Sequence, residues 1–115
     1  MTSVILNESA LSTVFDSNGN GIAQIGPLTA REVWHPSNVH VSASSNTADA
    51  LCSIYVGFGI TQANFRDATF TGSTGDSSDR VDADVIKKGS YIYAVWTGGD
   101  VGAQGTMTVT GTKDV

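Results

Sequence analysis

Four groups of residues in this chain have the types and spacing that chemistry requires. Asp16-x-Asn18-x-Asn20-Gly21 matches the opening of an EF-hand calcium loop, whose oxygen ligands fall at alternate positions before a glycine. The match then fails, because Pro27 stands where the bidentate Glu belongs and no helical pattern flanks the loop. Two Asn-Gly steps explain the stretch as a turn without any metal, so Asp16, Asn18 and Asn20 are a weak candidate and no metal or cofactor is expected. Asp76, Asp79, Asp82 and Asp84 make the densest acidic stretch. Val81, Ala83 and Val85 alternate with Asp82 and Asp84, which places both carboxylates on the polar face of one strand. Such a face is either solvated, discouraging edge pairing, or turned towards a basic partner. His35, His40 and Cys52 have no zinc spacing, and no Ser-His-Asp set can be argued from their positions. The chain therefore reads as a non-enzyme. Trp34 and Trp96 are expected as core anchors, while Tyr91, Tyr93 and Trp34 keep a second use as aromatics of a sugar-binding surface.

The totals narrow the partners. At 115 residues the chain has the length of one domain. A net charge of −5 and a sequence pI near 4.6 argue against nucleic acid, whose phosphates require a basic footprint. Lys87-Lys88 is the only adjacent basic pair. Val4-Ile5-Leu6 is too short for the apolar region of a signal peptide, and no apolar run approaches the ~20 residues of a membrane-spanning helix. The single cysteine excludes an intrachain disulfide framework, and its place in an alternating run suggests a small buried hydrophobe. Synthesis and folding in a reducing cytoplasm follow as the expectation.

The elements that must position these residues are strands. Charged residues make up only 15% of the chain, and Ser, Thr, Gly and Asn do most of the solubilising, which suits strands and polar turns better than helices. Residues 1–10 form either an arm or an edge strand, and 11–115 a single domain. Leu11–Phe15 and Ile22–Ile25 flank the Asn-Gly turn as a hairpin. Leu28–Trp34 is expected to stop at Pro36, which cannot donate to a ladder. Asn38–Ala43 alternates cleanly and Ser44–Thr47 is a loop. Leu51–Thr61 reads as a long strand with Cys52, Ile54, Val56, Phe58 and Ile60 on one face. Gly57 and Gly59 on its other face suggest a bulge or a closely approaching partner chain. Phe65–Thr71 is a weaker segment and Gly72–Asp79 a polar loop. Between Arg80 and Thr112, Val81–Val85, Tyr91–Thr97 and Gln104–Thr110 read as a three-strand meander, reversed at Lys87-Lys88-Gly89-Ser90 and at Gly98–Gly102. The fold class is all-β, an antiparallel β-sandwich, jelly-roll-like or Ig-like, of about eight to ten short strands with essentially no helix.

Three stretches resemble small β-sandwich virion proteins of tailed bacteriophages, particularly those of actinobacteria. They are Gly21 to Pro27 running on to Glu32-Val33-Trp34, Asp67 to Asp79, and Gly89 to Thr112 with its Ala94-Val95-Trp96-Thr97-Gly98-Gly99-Asp100. The resemblance spans most of the chain from Gly21 onward and carries no catalytic residues. It implies a head decoration (cement) or minor capsid protein on the capsid exterior of the virion. The implied partner is the major capsid protein, bound by a homotrimer or other cyclic homo-oligomer. Contacts are expected from a free N-terminal arm at Thr2, Ser3, Val4, Ile5 and Leu6 and from loops at one end of the sandwich; the acidic stretch Asp76, Asp79, Asp82 and Asp84, read from its own residues, is the further patch that could face a partner. The alternative is a tail-associated sandwich that binds a host-surface glycan. Neither nucleic acid nor membrane is an expected partner.

Overall fold

Alternating apolar and polar residues, broken by Gly, Asn, Asp and Ser, lay down strands through most of the chain. The computed structural model describes residues 2–44 and 47–115, so the loop expected at Ser44–Thr47 is described only at its two ends. The strands are β1 (Ser3–Leu11), β2 (Gly21–Ile25), β3 (Val33–Ala43), β4 (Ala50–Gly57), β5 (Phe65–Thr71), β6 (Asp76–Ser78), β7 (Ile86–Lys87), β8 (Tyr91–Thr97) and β9 (Gly105–Asp114). A single 3-10 turn at Gln62–Asn64 is the only helical element among the described residues.

The strands form two packed antiparallel sheets, a β-sandwich. One runs β1-β9-β3-β6, with the short β7 also on β3, and the other runs β2-β8-β4-β5. Successive strands change sheet at every connection except β4–β5 and β6–β7. Most pairings therefore join residues far apart in sequence, as the 99-residue separation of Ser9 and Thr108 illustrates.

Between the sheets lies one core. Val39, Val41, Ile54, Ile92, Ala94, Trp96, Met107 and Val109 are all buried there, with Phe15 against Trp96 at a ring-centroid distance of 6.2 Å. Trp34 and Trp96 both belong to it, as expected. So does Cys52, whose thiol burial pushes up to about 12. Val81 and Ile86 plug the core from the segment that precedes β8.

Several local expectations are corrected. No meander forms: β8 pairs with β2 and β4, while β9 pairs with β1 and β3 in the opposite sheet. The seven-residue link 98–104 arches across the sandwich end instead of reversing within a sheet, because each strand's apolar phase is satisfied by a different layer. The Asn-Gly turn likewise links strands of different sheets. It is held locally by Asp16 N–H to Asn20 O (3.0 Å), and its Gly19 has φ +75°, where a Cβ would strike the Gly99 carbonyl. Val81–Val85 is a pair of tight turns, with Asp82 N–H on Asp79 O (3.1 Å) and Asp84 N–H on Val81 O (3.0 Å). Pro36 lies inside β3 and does not stop it. The ladder absorbs the missing donor with a register shift between Pro36 and Asn38, opposite Gly111, where a Cβ would meet the His35 carbonyl. β4 ends at Gly57, leaving Phe58 and Ile60 exposed and not on the core face. Gly57 is approached closely, but by Asn64 of the same chain. The polar loop Gly72–Asp79 contains the short strand β6, paired with β3.

Candidate functional site

Two features of this frame have the character of a site: a lateral cleft between the sheets, and the outward face of the β2-β8-β4-β5 sheet.

The cleft opens where the edge strands β1 and β2 lie side by side, and it measures about 520 Å³, within the range of ~300–1,000 Å³ typical of ligand sites. Alternation decides which residues reach it. On β1, Glu8 falls in the same phase as the buried Leu6; on β9, Lys113 falls in phase with Met107 and Val109. Charges on core-facing phases are tolerated only at the margin, where they can reach one another and water. Lys113 Nζ stands 3.2 Å from Glu32 Oε1 and 3.6 Å from Glu8 Oε1. Glu32 Oε1 also accepts from the Trp34 indole N–H at 3.4 Å, and Glu32 Oε2 from the Thr29 hydroxyl at 3.4 Å. The Lys113 ammonium, and after it the Trp34 indole, hold the Glu32 carboxyl below the usual carboxylate range. Glu32 in turn raises Lys113 above the ordinary lysine value. From the other sheet, Gln24 and Tyr91 line the opposite wall, and Leu28 stands 84% exposed at the rim.

The outward face of the second sheet is aromatic. Its rows run Ile22–Val95–Ser53–Ala68 and Gln24–Tyr93–Tyr55–Phe65 across the four strands, with Leu51 beside Phe70. Tyr55 and Phe65 meet edge-to-face at 5.7 Å between centroids, and Tyr91 and Tyr93 at 5.9 Å. Phe70 is 69% exposed and Ile22 45%.

The residues singled out from sequence are dispersed. Ser3–Leu6 lie in β1, paired to β9 from Asp114 to Gly111; Leu6 is fully buried and Thr2 O accepts from Val115 N–H at 3.0 Å. Of that segment, Val4 and Ile5 present apolar surface. Asp16 Oδ1 accepts the backbone N–H groups of Asn18 (2.9 Å) and Asn20 (3.1 Å), so this carboxylate organises its own turn. Asp82 and Asp84 do not share a strand face, since their backbone turns. Asp84 makes a two-point pair with Arg66, 3.0 Å at Nε and 3.0 Å at Nη2. Asp76 accepts from the Thr69 hydroxyl and from Ser77 N–H, and Asp79 lies in the following turn. These pairs stitch the β5–β6 margin shut rather than forming one patch. A smaller cleft of about 340 Å³ lies beside the Arg66–Asp84 pair, at the end of β4 and the turn before β8, lined also by Gly57, Val85 and Ser90. Among the described residues no three His, Cys, Asp or Glu come together as a metal set.

His40 Nδ1 and the Ser77 hydroxyl, brought together at 2.8 Å, were not foreseeable from their spacing. The pair sits exposed on the sheet surface and lines neither cleft. His35 Nε2 pairs with Asp114 Oδ2 at 3.0 Å. Trp34 and Tyr91, distant in sequence, both line the lateral cleft. Glu8, Glu32 and Lys113 escaped the sequence reading; the signal for two of them was a charge on the apolar phase of a strand.

No family pattern and no curated protein sequence matches the chain. Among solved structures, it is similar to a Yersinia pseudotuberculosis-derived mitogen at 11% identity and a TM-score of 0.50, covering 95% of this chain and 86% of that one. A family two carbohydrate esterase from Cellvibrio japonicus aligns at 7% identity and a TM-score of 0.44, over 99% of this chain and 36% of that chain. The first likeness establishes the β-sandwich fold and nothing further.

Proposed function

We propose that the chain is a structural protein of a phage virion, a decoration (cement) or minor capsid protein that binds the outside of the assembled head. The carrying observation is the outer face of β2-β8-β4-β5. A sheet that faces only water alternates apolar-in with polar-out, whereas this one turns Ile22, Val95, Tyr55, Phe65 and Phe70 outward. Contiguous apolar surface of this kind marks an interaction site. The contact is placed here and not on Thr2–Leu6, because β1 is paired and Leu6 lies in the core.

Size then argues for several copies. Four strands ~4.8 Å apart and five to eight residues long, at ~3.3 Å rise per residue, give a face of roughly 400 Å². A stable interface needs ~800 Å² on each partner. One copy therefore binds weakly, and a cyclic homo-oligomer, most simply a trimer at a local symmetry axis, gains the remainder by simultaneous contacts. Binding the assembled lattice of major capsid protein and not its free subunits stabilises the head by mass action. This role uses no cofactor and no catalytic residue, and it fits synthesis in the host cytoplasm without nucleic acid or membrane as a partner.

Cosedimentation of the purified protein with heads that lack it, together with its solution mass, tests the reading. Saturable binding and a raised head-disruption temperature are expected, with Phe70→Asp abolishing both. Absence of binding at any concentration overturns it.

A second reading is favoured by one observation: Trp34 and Tyr91 line a single cleft together with carboxylate and ammonium groups. It makes the chain a tail-associated sandwich that binds a glycan of the host surface.

A further inference from the structure

We propose that the lateral cleft between β1 and β2 is a binding site for a neutral pyranose unit of a glycan, gripped between Tyr91 and the Glu8–Lys113–Glu32 group. The inference rests on the glycan-binding reading, and its cleft shares Gln24 and Tyr91 with the margin of the aromatic face.

Three properties select this ligand class. The first is the pairing of an apolar wall with hydrogen-bonding groups across a narrow opening. The Tyr91 ring is fixed, packed over the backbone of Gly26, where a Cβ would come within 2.8 Å of it, and against Tyr93. A pyranose presents a C–H face to such a ring and its hydroxyls to the side. Leu28, exposed at the rim, extends the apolar wall.

The second is the supply of acceptors and donors. Glu8 is the least committed of the charged groups: its side chain is 44% exposed and its carboxylate lies 3.6 Å from Lys113, beyond hydrogen-bonding distance. Its oxygens accept from hydroxyls, while the exposed Gln24 amide both donates and accepts. Glu32, by contrast, is occupied by Lys113, Trp34 and Thr29, and so braces the floor of the cleft.

The third is charge. Two carboxylates surround one ammonium, which leaves the cleft net negative and Lys113 already paired. A phosphate, sulfate or uronate would meet repulsion and find no free cation. A neutral polyhydroxylated ring pays no such penalty. Trp34 contributes the floor, and its indole N–H, held on Glu32, reports on occupancy.

The test is a titration of the full chain, followed by amide and side-chain NMR shifts, with neutral cello-, malto- and chito-oligosaccharides and with oligogalacturonate as the anionic probe. In parallel, retention on purified actinobacterial cell walls is measured. The expected result is a saturable perturbation at the Trp34 indole and Gln24 side-chain N–H signals by a neutral oligosaccharide, none by oligogalacturonate, and weakening of about tenfold or more in Tyr91→Ala. Glu8→Gln, which keeps the side chain's size and one acceptor oxygen while removing its charge, provides the second variant and should weaken binding as well. Wall retention undiminished by Tyr91→Ala and Glu8→Gln, without perturbation at the cleft, overturns the site while leaving a glycan function standing. No retention and no perturbation by any saccharide overturns both. A preference for oligogalacturonate also overturns the assignment, because the charge argument would then be wrong.

Discussion

The two outer faces of this sandwich obey the same alternation and end with opposite surfaces. On the β1-β9-β3 sheet, the outward rows are Ile5–Thr112–His35, Asn7–Thr110–Asn38, Ser9–Thr108–His40 and Leu11–Thr106–Ser42. Hydroxyls bond across strands there, as Ser9 and Thr108 do at 2.9 Å, and apolar side chains are few: Ile5 and Leu11 on the edge strand and Val33 at the start of β3. On the other sheet, tyrosines and phenylalanines fill the matching positions. The difference originates in one strand of each. β9 is apolar in one phase, Met107 and Val109, and threonine in the other. β8 is apolar in both, with Ile92, Ala94 and Trp96 inward and Tyr91, Tyr93 and Val95 outward. A run that is apolar on both phases signals a strand covered on both sides. One side of β8 is covered by the core; the other is the face we assign to a partner.

The comparison can be broken most severely through the layer both faces share. Trp96→Ala removes the largest fully buried side chain and should cost about 3–5 kcal/mol by denaturant unfolding; a loss under ~1 kcal/mol would move Trp96 out of the core. Next in size is a paired surface experiment. Phe70→Asp on the aromatic face should abolish head binding while shifting stability by no more than ~0.5 kcal/mol, and Thr108→Asp on the threonine face should change neither. Equal effects of the two on binding would erase the distinction between the faces.

A smaller effect concerns the margin that joins them. Glu32 is held below the ordinary carboxylate range, so its contribution is present above the ordinary Glu value and fades as pH falls through the lowered one. Lys113 is raised above 10.5, so its contribution is complete below that value and is lost as pH rises through the raised one. Each pair is partly solvated and worth roughly 0.2–1 kcal/mol. Stability measured against pH should show a shallow shoulder at each end, and Lys113→Met should flatten both. The smallest readout tests the phase of β4. Cys52 faces the core with its thiol pushed up to about 12 by burial, so native protein at pH 8 should resist thiol labelling until it unfolds. Prompt labelling would mean that β4 presents Cys52, and not Ser53, to the outside.

Much of the fold was legible because period-2 patterning reports locally which side chains turn inward. Alternation within Asn38–Ala43, Leu51–Thr61 and Gln104–Thr110 puts Val39 with Val41, Cys52 with Ile54, and Met107 with Val109 on one face of their strands, and the structure buries all six. Alternation failed where backbone geometry overrode it. Val81–Val85 alternates without being a strand, since Val81 needs only a turn to plug the core, and Phe58 and Ile60 continue a pattern that Gly57 has already ended. The candidate cleft was the least legible part. Trp34 and Tyr91 were noted as aromatics with a second use, but Glu8, Glu32 and Lys113 come from three distant segments, and nothing local to any one of them announces the others.

What the sequence determined by itself was the material of the longer strands: the inward phase of β4, β8 and β9, and the apolar excess of Tyr91–Thr97. Those are consequences of side-chain alternation and turn chemistry, which act over a handful of residues. Only the tertiary structure decided which strands are neighbours. It sent β8 and β9 to opposite sheets, closed the β5–β6 margin with Thr69–Asp76 and Ser78–Asp67 and left the β1–β2 margin open. Pairing is settled by burying all the inward phases at once, and that is a property of the whole chain.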